Sequence, residues 1–232
     1  AVAHLKERRE PYALVVRRGT FEPYATRGSS LSTGQMSREE AVALVLSRID
    51  PAAVVVSTTG GASREVFEYR ARLEQGHRRD FLTVGSMGHA SQIALGVALA
   101  RPRRPVYCLD GDGALVMHLG GLAVIGARSP ENLKHIILNN GAHDSVGGQP
   151  TAAGEMDVPA VARACGYRVA LTASSRVVAE MGLDELNSSA GPALLEIAVA
   201  KGSRADLGRP TTTPAENKEA FMQFVAREQN GG

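Results

Sequence analysis

The chain has 232 residues, 44% of them hydrophobic and 22% charged, and a formal net charge of only +2. These values describe a globular chain of ordinary α/β size and exclude the strongly basic surface that a nucleic-acid partner requires. No apolar stretch approaches the roughly 18 residues of a membrane span, and the opening AVAHLKERRE is too charged for a signal peptide.

In chain order, an amphipathic opening helix over 1–9 leads past Pro11 to the β-prone YALVV of Tyr12–Val16, which reads as a short strand. RRGTFEPYATRGSSLSTGQ follows, rich in Gly, Ser and Thr, and places a linker at 18–36. Ser37 then stands before Arg38, Glu39 and Glu40, an N-cap with a capping box, and an apolar-periodic helix runs to Ile49. From here short apolar strands alternate with helices. Strands are expected at Ala53–Ser57, Phe81–Val84, Val106–Leu109, His135–Leu138, Arg168–Leu171 and Leu194–Val199. Helices are expected near Arg64–Glu74, Ser91–Ala100, Leu115–Ala127, Val158–Cys165 and Arg176–Asn187, with a last one at Pro214–Glu228. Such alternation specifies an α/β fold over 37–232: a doubly wound, mainly parallel six-stranded sheet with helices on both faces. Cys108 sits in an apolar run and Cys165 follows a helical one, so both read as reduced thiols of a cytoplasmic protein.

In sheets of this kind ligands bind beyond the carboxyl ends of the strands. Four loops fall there: STTGGAS (57–63), VGSMGHAS (84–91), LDGDGA (109–114) and LNNGAHDSVGGQPT (138–151). LDGDGA supplies a carboxylate, glycines whose amides can approach an anion, and a helix start. LNNGAHD adds side-chain amides and a turn glycine. An Asp oxygen, an Asn oxygen and a backbone carbonyl form a hard-oxygen set suited to Mg²⁺, which completes its shell with water and phosphate oxygens. Asp112 and Asn140 are 28 positions apart, room for one crossover helix and one strand, so they end adjacent strands and can share one metal. Asp110 closes its strand and serves nearby amides or water. In STTGGAS, Thr58, Thr59 and Gly60 offer hydroxyl and amide donors at a helix start, although Ser/Thr-Gly turns begin many helices. HDS cannot be a Ser-His-Asp relay, because the three residues are consecutive. His143 and Asp144 stand at the lip of the metal loop, where they either face substrate or are solvated. His89 heads a helix and His118 lies inside one; both read as packing or capping groups.

GDG, the 25 residues from Ala114 to Leu138, then NN, resembles the thiamine diphosphate fingerprint of the decarboxylase and acetolactate synthase superfamily. The resemblance implies that Asp112, the Asn140 side chain and the Ala142 carbonyl hold Mg²⁺. It also implies that the amides of Gly113 and Ala114, next to Gly111, meet the diphosphate. Met87, 25 positions before Asp112, would support the bent cofactor from beneath, with the Gly85 carbonyl accepting from the pyrimidine amino group and Ser86 between them.

Longer strings, above all AHDSVGGQPT and RADLGRPTTTP, are similar to the C-terminal half of the phosphonopyruvate decarboxylase family. That likeness implies conversion of 3-phosphonopyruvate to phosphonoacetaldehyde and CO₂. Sulfopyruvate decarboxylase, whose beta subunit is a comparable half, matches these two strings less well, and a thiamine diphosphate-binding module without turnover is a further alternative. A phosphonate calls for an arginine fork or the glycines of SVGGQ; Arg64 is one candidate, with a surface arginine as its plain alternative. The family also implies an activating glutamate on a pyrimidine-binding domain, of which 1–17 is read as the last helix and strand. This chain alone is therefore expected to be inactive and to work in a homo-oligomer or with a partner subunit.

Overall fold

The computed structural model describes residues 1–17, 19–22 and 36–227. The linker expected at 18–36 lies, apart from 19–22 and Met36, outside them. The chain divides into two compact units, Ala1–Ser30 and Leu31–Gly232.

In the first unit a helix, α1 (Val2–Arg8), ends at Arg9, whose φ of 55° is left-handed. The strand expected at Tyr12–Val16 does not form: Leu14, Val15 and Val16 are 76%, 93% and 56% exposed. A strand exists only through pairing, and β propensity without a neighbouring strand leaves the backbone to water.

The second unit holds the sheet. Helix α2 (Arg38–Arg48) starts at the expected capping box, Ser37 with Glu40. Then come β1 (Val54–Ser57), α3 (Gly61–Arg72), β2 (Asp80–Leu82), α4 (Ala90–Ala100) and β3 (Val106–Gly111). Helices α5 (Asp112–Met117) and α6 (Gly121–Arg128) precede β4 (Leu133–Asn139) and a small hairpin, β5 (Ala142–His143) with β6 (Gln149–Pro150). The remaining elements are α7 (Val158–Ala164), β7 (Val169–Ala173), α8 (Arg176–Ser188), β8 (Ala193–Ala198) and α9 (Pro214–Ala226). Six strands form one parallel sheet in the order β2-β1-β3-β4-β8-β7.

Alternation along the strands splits the core in two. Val55, Tyr107, Leu109, Ile136 and Leu195 pack under α2, α3 and α8, whereas Val54, Val56, Cys108, Ile137 and Leu194 pack under α4, α6, α7 and α9. Each fully buried Leu or Ile contributes about 1.5–3 kcal/mol, so both layers are needed and the sheet is doubly wound, as expected. Among the described residues no helix is long and apolar enough to cross a membrane.

Two expectations are corrected here. The single helix over Leu115–Ala127 is two, separated by His118–Gly120, and His118 caps α5 instead of lying inside a helix. A side chain at Gly121 would meet the Gln92 amide 2.6 Å away, so the glycine permits close packing at the cost of helix continuity. The strand expected at Phe81–Val84 stops at Leu82, and Val84 is 66% exposed. Strand order also reverses at one place that matters: β1 leads to β2 on one side, while β3 lies on the other. The crevice at the carboxyl ends of β1 and β3 is thus a topological switch point.

Candidate functional site

A cavity of about 140 Å³ opens at this switch point. The loop after β1 contributes Thr58, Thr59 and Gly60; Gly111, Asp112, Gly113 and Ala114 contribute the turn into α5. Asn140, Ala142, His143 and Asp144 come from the segment after β4, and Met87 from the loop before α4. Gly85 and Ser86 stand exposed in that same loop, in left-handed conformations with φ of 70° and 47°. The Gly85 N–H donates to Thr59 Oγ1 at 3.1 Å, which ties this loop to the one after β1. His89 heads α4, as expected, and its Nδ1 lies 3.2 and 3.3 Å from the carbonyl oxygens of Ser86 and Met87.

Asp112 is the centre of the arrangement. It is 3% exposed, and burial pushes its carboxyl pKa up, opposed by hydrogen bonds from the Thr151 hydroxyl and from the backbone of Gly113 and Asn140. A buried carboxylate of this kind is short of compensating charge, which a cation would supply. Asn140 stands beside it. Its Nδ2 donates to Asp144 Oδ2 at 2.6 Å, which fixes the orientation of the amide. Its Oδ1 accepts the Ala142 N–H at 3.0 Å and keeps a second lone pair. Two hard oxygens on adjacent strand ends, with the Ala142 backbone beside them, fit a divalent cation, and the cleft with its glycine amides fits a diphosphate.

Asp144 holds the loop in place: it also accepts the Gly202 N–H at 2.8 Å and lies 3.9 Å from Arg38 Nη1. His143 leans over the glycine turn. A Cβ on Gly113 would come within 2.8 Å of His143 Cε1 and 3.2 Å of Met87 Cε, so a larger residue there would have to displace the His143 ring. Thr151 and Arg38 also belong to the site. Arg38 makes a bidentate pair with the buried Glu65, with bonds of 2.9 Å from both Nε and Nη2. Its guanidinium covers Gly61 so closely that any side chain there would collide with it.

Asp110 accepts the Gly111 N–H at 2.9 Å, in line with its expected role. Its other oxygen faces His135 Nε2 at 3.6 Å, and His135 Nδ1 lies 3.0 Å from the Tyr167 hydroxyl. The neighbouring Cys108 thiol is pushed well up by burial and then by Asp110, so it stays protonated. His89 and His118 form an exposed ring pair, 4.3 Å between centroids.

Residues 58–197 match the thiamine pyrophosphate enzyme family through its C-terminal TPP binding domain. Phosphonopyruvate decarboxylase of Streptomyces viridochromogenes is 39% identical over 99% of this chain and 60% of its own length. The Streptomyces hygroscopicus protein of the same name is 42% identical over 90% of this chain and 50% of its own length. The chain thus spans about half to six tenths of these curated relatives. Sulfopyruvate decarboxylase subunit beta of Methanothermobacter thermautotrophicus is 35% identical over 74% of this chain and 86% of that subunit. A solved structure of a candidate thiamin diphosphate-dependent enzyme from Mycobacterium smegmatis shares the fold, with a TM-score of 0.60 and 21% identity over 72% of this chain and 32% of that one. With the cleft at the β1/β3 switch point and the matched segment running from Thr58 to Ile197, the chain belongs to the thiamine pyrophosphate enzyme family, whose C-terminal TPP binding domain it carries.

Proposed function

We propose that this chain supplies the diphosphate- and metal-binding half of a thiamine diphosphate- and Mg²⁺-dependent decarboxylase that converts 3-phosphonopyruvate to phosphonoacetaldehyde and CO₂. The observation that carries this reading is the pairing of buried Asp112 with oriented Asn140 in a cleft whose chain is 39–42% identical to two phosphonopyruvate decarboxylases. Bound thiamine diphosphate supplies the electron sink that accepts the pair of electrons left when CO₂ departs.

The residues of this chain bind, orient and exclude water. Asp112, Asn140 Oδ1 and the Ala142 carbonyl hold Mg²⁺, and the Gly113 and Ala114 amides, beside Gly111, meet the diphosphate. Thr58, Thr59 and Gly60 close over its other side. Met87 would support the cofactor from beneath, and Gly85, with Ser86, would present a carbonyl to its pyrimidine. The pyrimidine-binding domain and its glutamate come from another segment or subunit, within an oligomer, so this chain alone releases no CO₂.

Full-length protein assayed with both acids tests the substrate. A kcat/KM for sulfopyruvate more than about tenfold above that for phosphonopyruvate, about 1.4 kcal/mol in the transition state, overturns the substrate assignment in favour of the sulfopyruvate reading that the beta-subunit relative supports. Asp112→Ala is expected to abolish both CO₂ release and Mg²⁺-dependent cofactor binding; calorimetry showing wild-type affinity overturns the metal assignment. Cofactor binding without turnover of any 2-oxo acid by the full-length protein supports the non-catalytic module instead.

A further inference from the structure

A second cavity, of about 380 Å³, adjoins the first. It shares Arg38, Gly60, Gly61, Asp144 and Ser145 with it but contains neither Asp112 nor Asn140. Its other walls are Arg64, on the first turn of α3, and the segment after β8, including Ser203 and Arg204.

The charges on these walls are unequally committed. Arg38 is paired with Glu65 and bonded to Ser203 Oγ at 2.9 Å. Arg204 pairs with Glu39, Glu68 and Asp206. Asp144, the carboxylate of this cavity, is taken up by Asn140, by the Gly202 amide and by the nearby Arg38. Arg64 differs: among the described residues it makes no hydrogen bond, ion pair or ring contact. As a residue it is of intermediate exposure, and it lines the cavity.

We propose that Arg64 is the anion-holding residue of a second subsite, which takes a tetrahedral oxyanion group beside the cofactor cleft. A planar guanidinium gives such a group a two-pronged, charge-assisted contact. Ser145 and Ser203 add hydroxyls, and the neutralised Arg38–Glu65 pair fixes the wall without competing for the anion. Two groups in the proposed reaction have this chemistry: the phosphonate of the substrate and the terminal phosphate of the cofactor. The subsite rests on the decarboxylase reading for its natural ligand, although the anion chemistry of the cavity does not.

The test uses Arg64→Gln and Arg64→Lys in the full-length protein, with three measurements. These are KM and kcat for phosphonopyruvate, the calorimetric Kd of thiamine diphosphate with Mg²⁺, and the calorimetric Kd of methylphosphonate. Removing one charge-assisted pair is expected to weaken the affected ligand about 10- to 100-fold, with lysine restoring part of the loss. A raised KM with weaker methylphosphonate binding and unchanged cofactor affinity assigns the subsite to the substrate. Weaker thiamine diphosphate binding, with the KM for phosphonopyruvate unchanged, assigns it to the cofactor. Unchanged values in all three overturn the proposal. If the full-length wild type turns over no phosphonopyruvate, the decarboxylase reading falls, while the two Kd comparisons still decide the role of Arg64.

Discussion

Asp112 is a buried carboxylate in the cleft at the β1/β3 switch point. Burial raises its carboxyl pKa, so the charged form is disfavoured in the metal-free protein, and the Thr151 hydroxyl and the backbone donors of Gly113, Asp112 and Asn140 only partly offset this. Asp112→Asn keeps the shape and removes the charge. It is expected to raise the melting temperature of the metal-free protein by about 2–4 °C, equivalent to about 1 kcal/mol for a domain of this size, while Mg²⁺-dependent binding of thiamine diphosphate is lost. Differential scanning calorimetry with and without Mg²⁺ checks both halves; a lower metal-free melting temperature would show the carboxylate to be structural. The sequence made Asp112 and Asn140 legible because strand-end spacing is a local matter. Thr151 and Arg38 were not legible as site residues: one returns on a hairpin, the other begins a helix 23 positions before Gly61, the glycine it covers. Only the fold brings either to the cleft.

At the scale of elements, β2 is a three-residue edge strand that leads into the Met87 loop, and two side chains secure it. Asn217 of α9 is 6% exposed; its Oδ1 accepts the Leu82 N–H at 2.9 Å and its Nδ2 donates to the Asp80 carbonyl at 2.8 Å. The helix thereby covers a sheet edge that would otherwise be open to pairing. Asn217→Ala strands both backbone groups, at about 1–3 kcal/mol each, and should speed hydrogen exchange at the Leu82 amide more than in β3 or β4. Uniform acceleration over the whole sheet would contradict a local role. Beneath the same strand, Arg70 of α3 bonds Asp80 at 3.2 and 3.3 Å, both side chains being buried. Burial dominates, with Arg70 pulling back, and the Asp80 pKa is pushed up to about 6 from 3.8. The folded chain therefore binds the extra proton. Stability from this group is greatest below the unfolded value of 3.8 and is lost as pH rises through about 6. Urea unfolding of wild type and Asp80→Asn between pH 4 and 7 should show a fall specific to wild type of about 2 kcal/mol; parallel pH profiles would rule it out. Helix and strand order were readable from apolar runs and caps, such as Ser37 with Glu40. The break at His118–Gly120 was not, because the Gln92 side chain that a larger residue at Gly121 would displace comes from another helix.

For the whole molecule, the division of labour follows from where the loops fall. Everything assigned to the metal and the diphosphate, from Thr58 to Thr151, belongs to the Leu31–Gly232 unit. The YALVV segment belongs to the other unit, and its strand propensity misled because a strand depends on a neighbour that sequence pattern does not report. If the sheet unit recognises the diphosphate end of the cofactor, this 232-residue chain should bind that end without any other domain. Thiamine diphosphate with Mg²⁺ at about 100 times Kd should then stabilise it by about 2.7 kcal/mol, a rise of about 5–10 °C for a domain of this size. Inorganic pyrophosphate with Mg²⁺ should reproduce much of the shift, whereas thiamine without phosphate should produce little. Asp112→Ala should remove the response to both phosphorylated ligands. A shift produced equally by thiamine alone would place recognition at the ring, and would assign to this chain the work expected of its pyrimidine-binding counterpart.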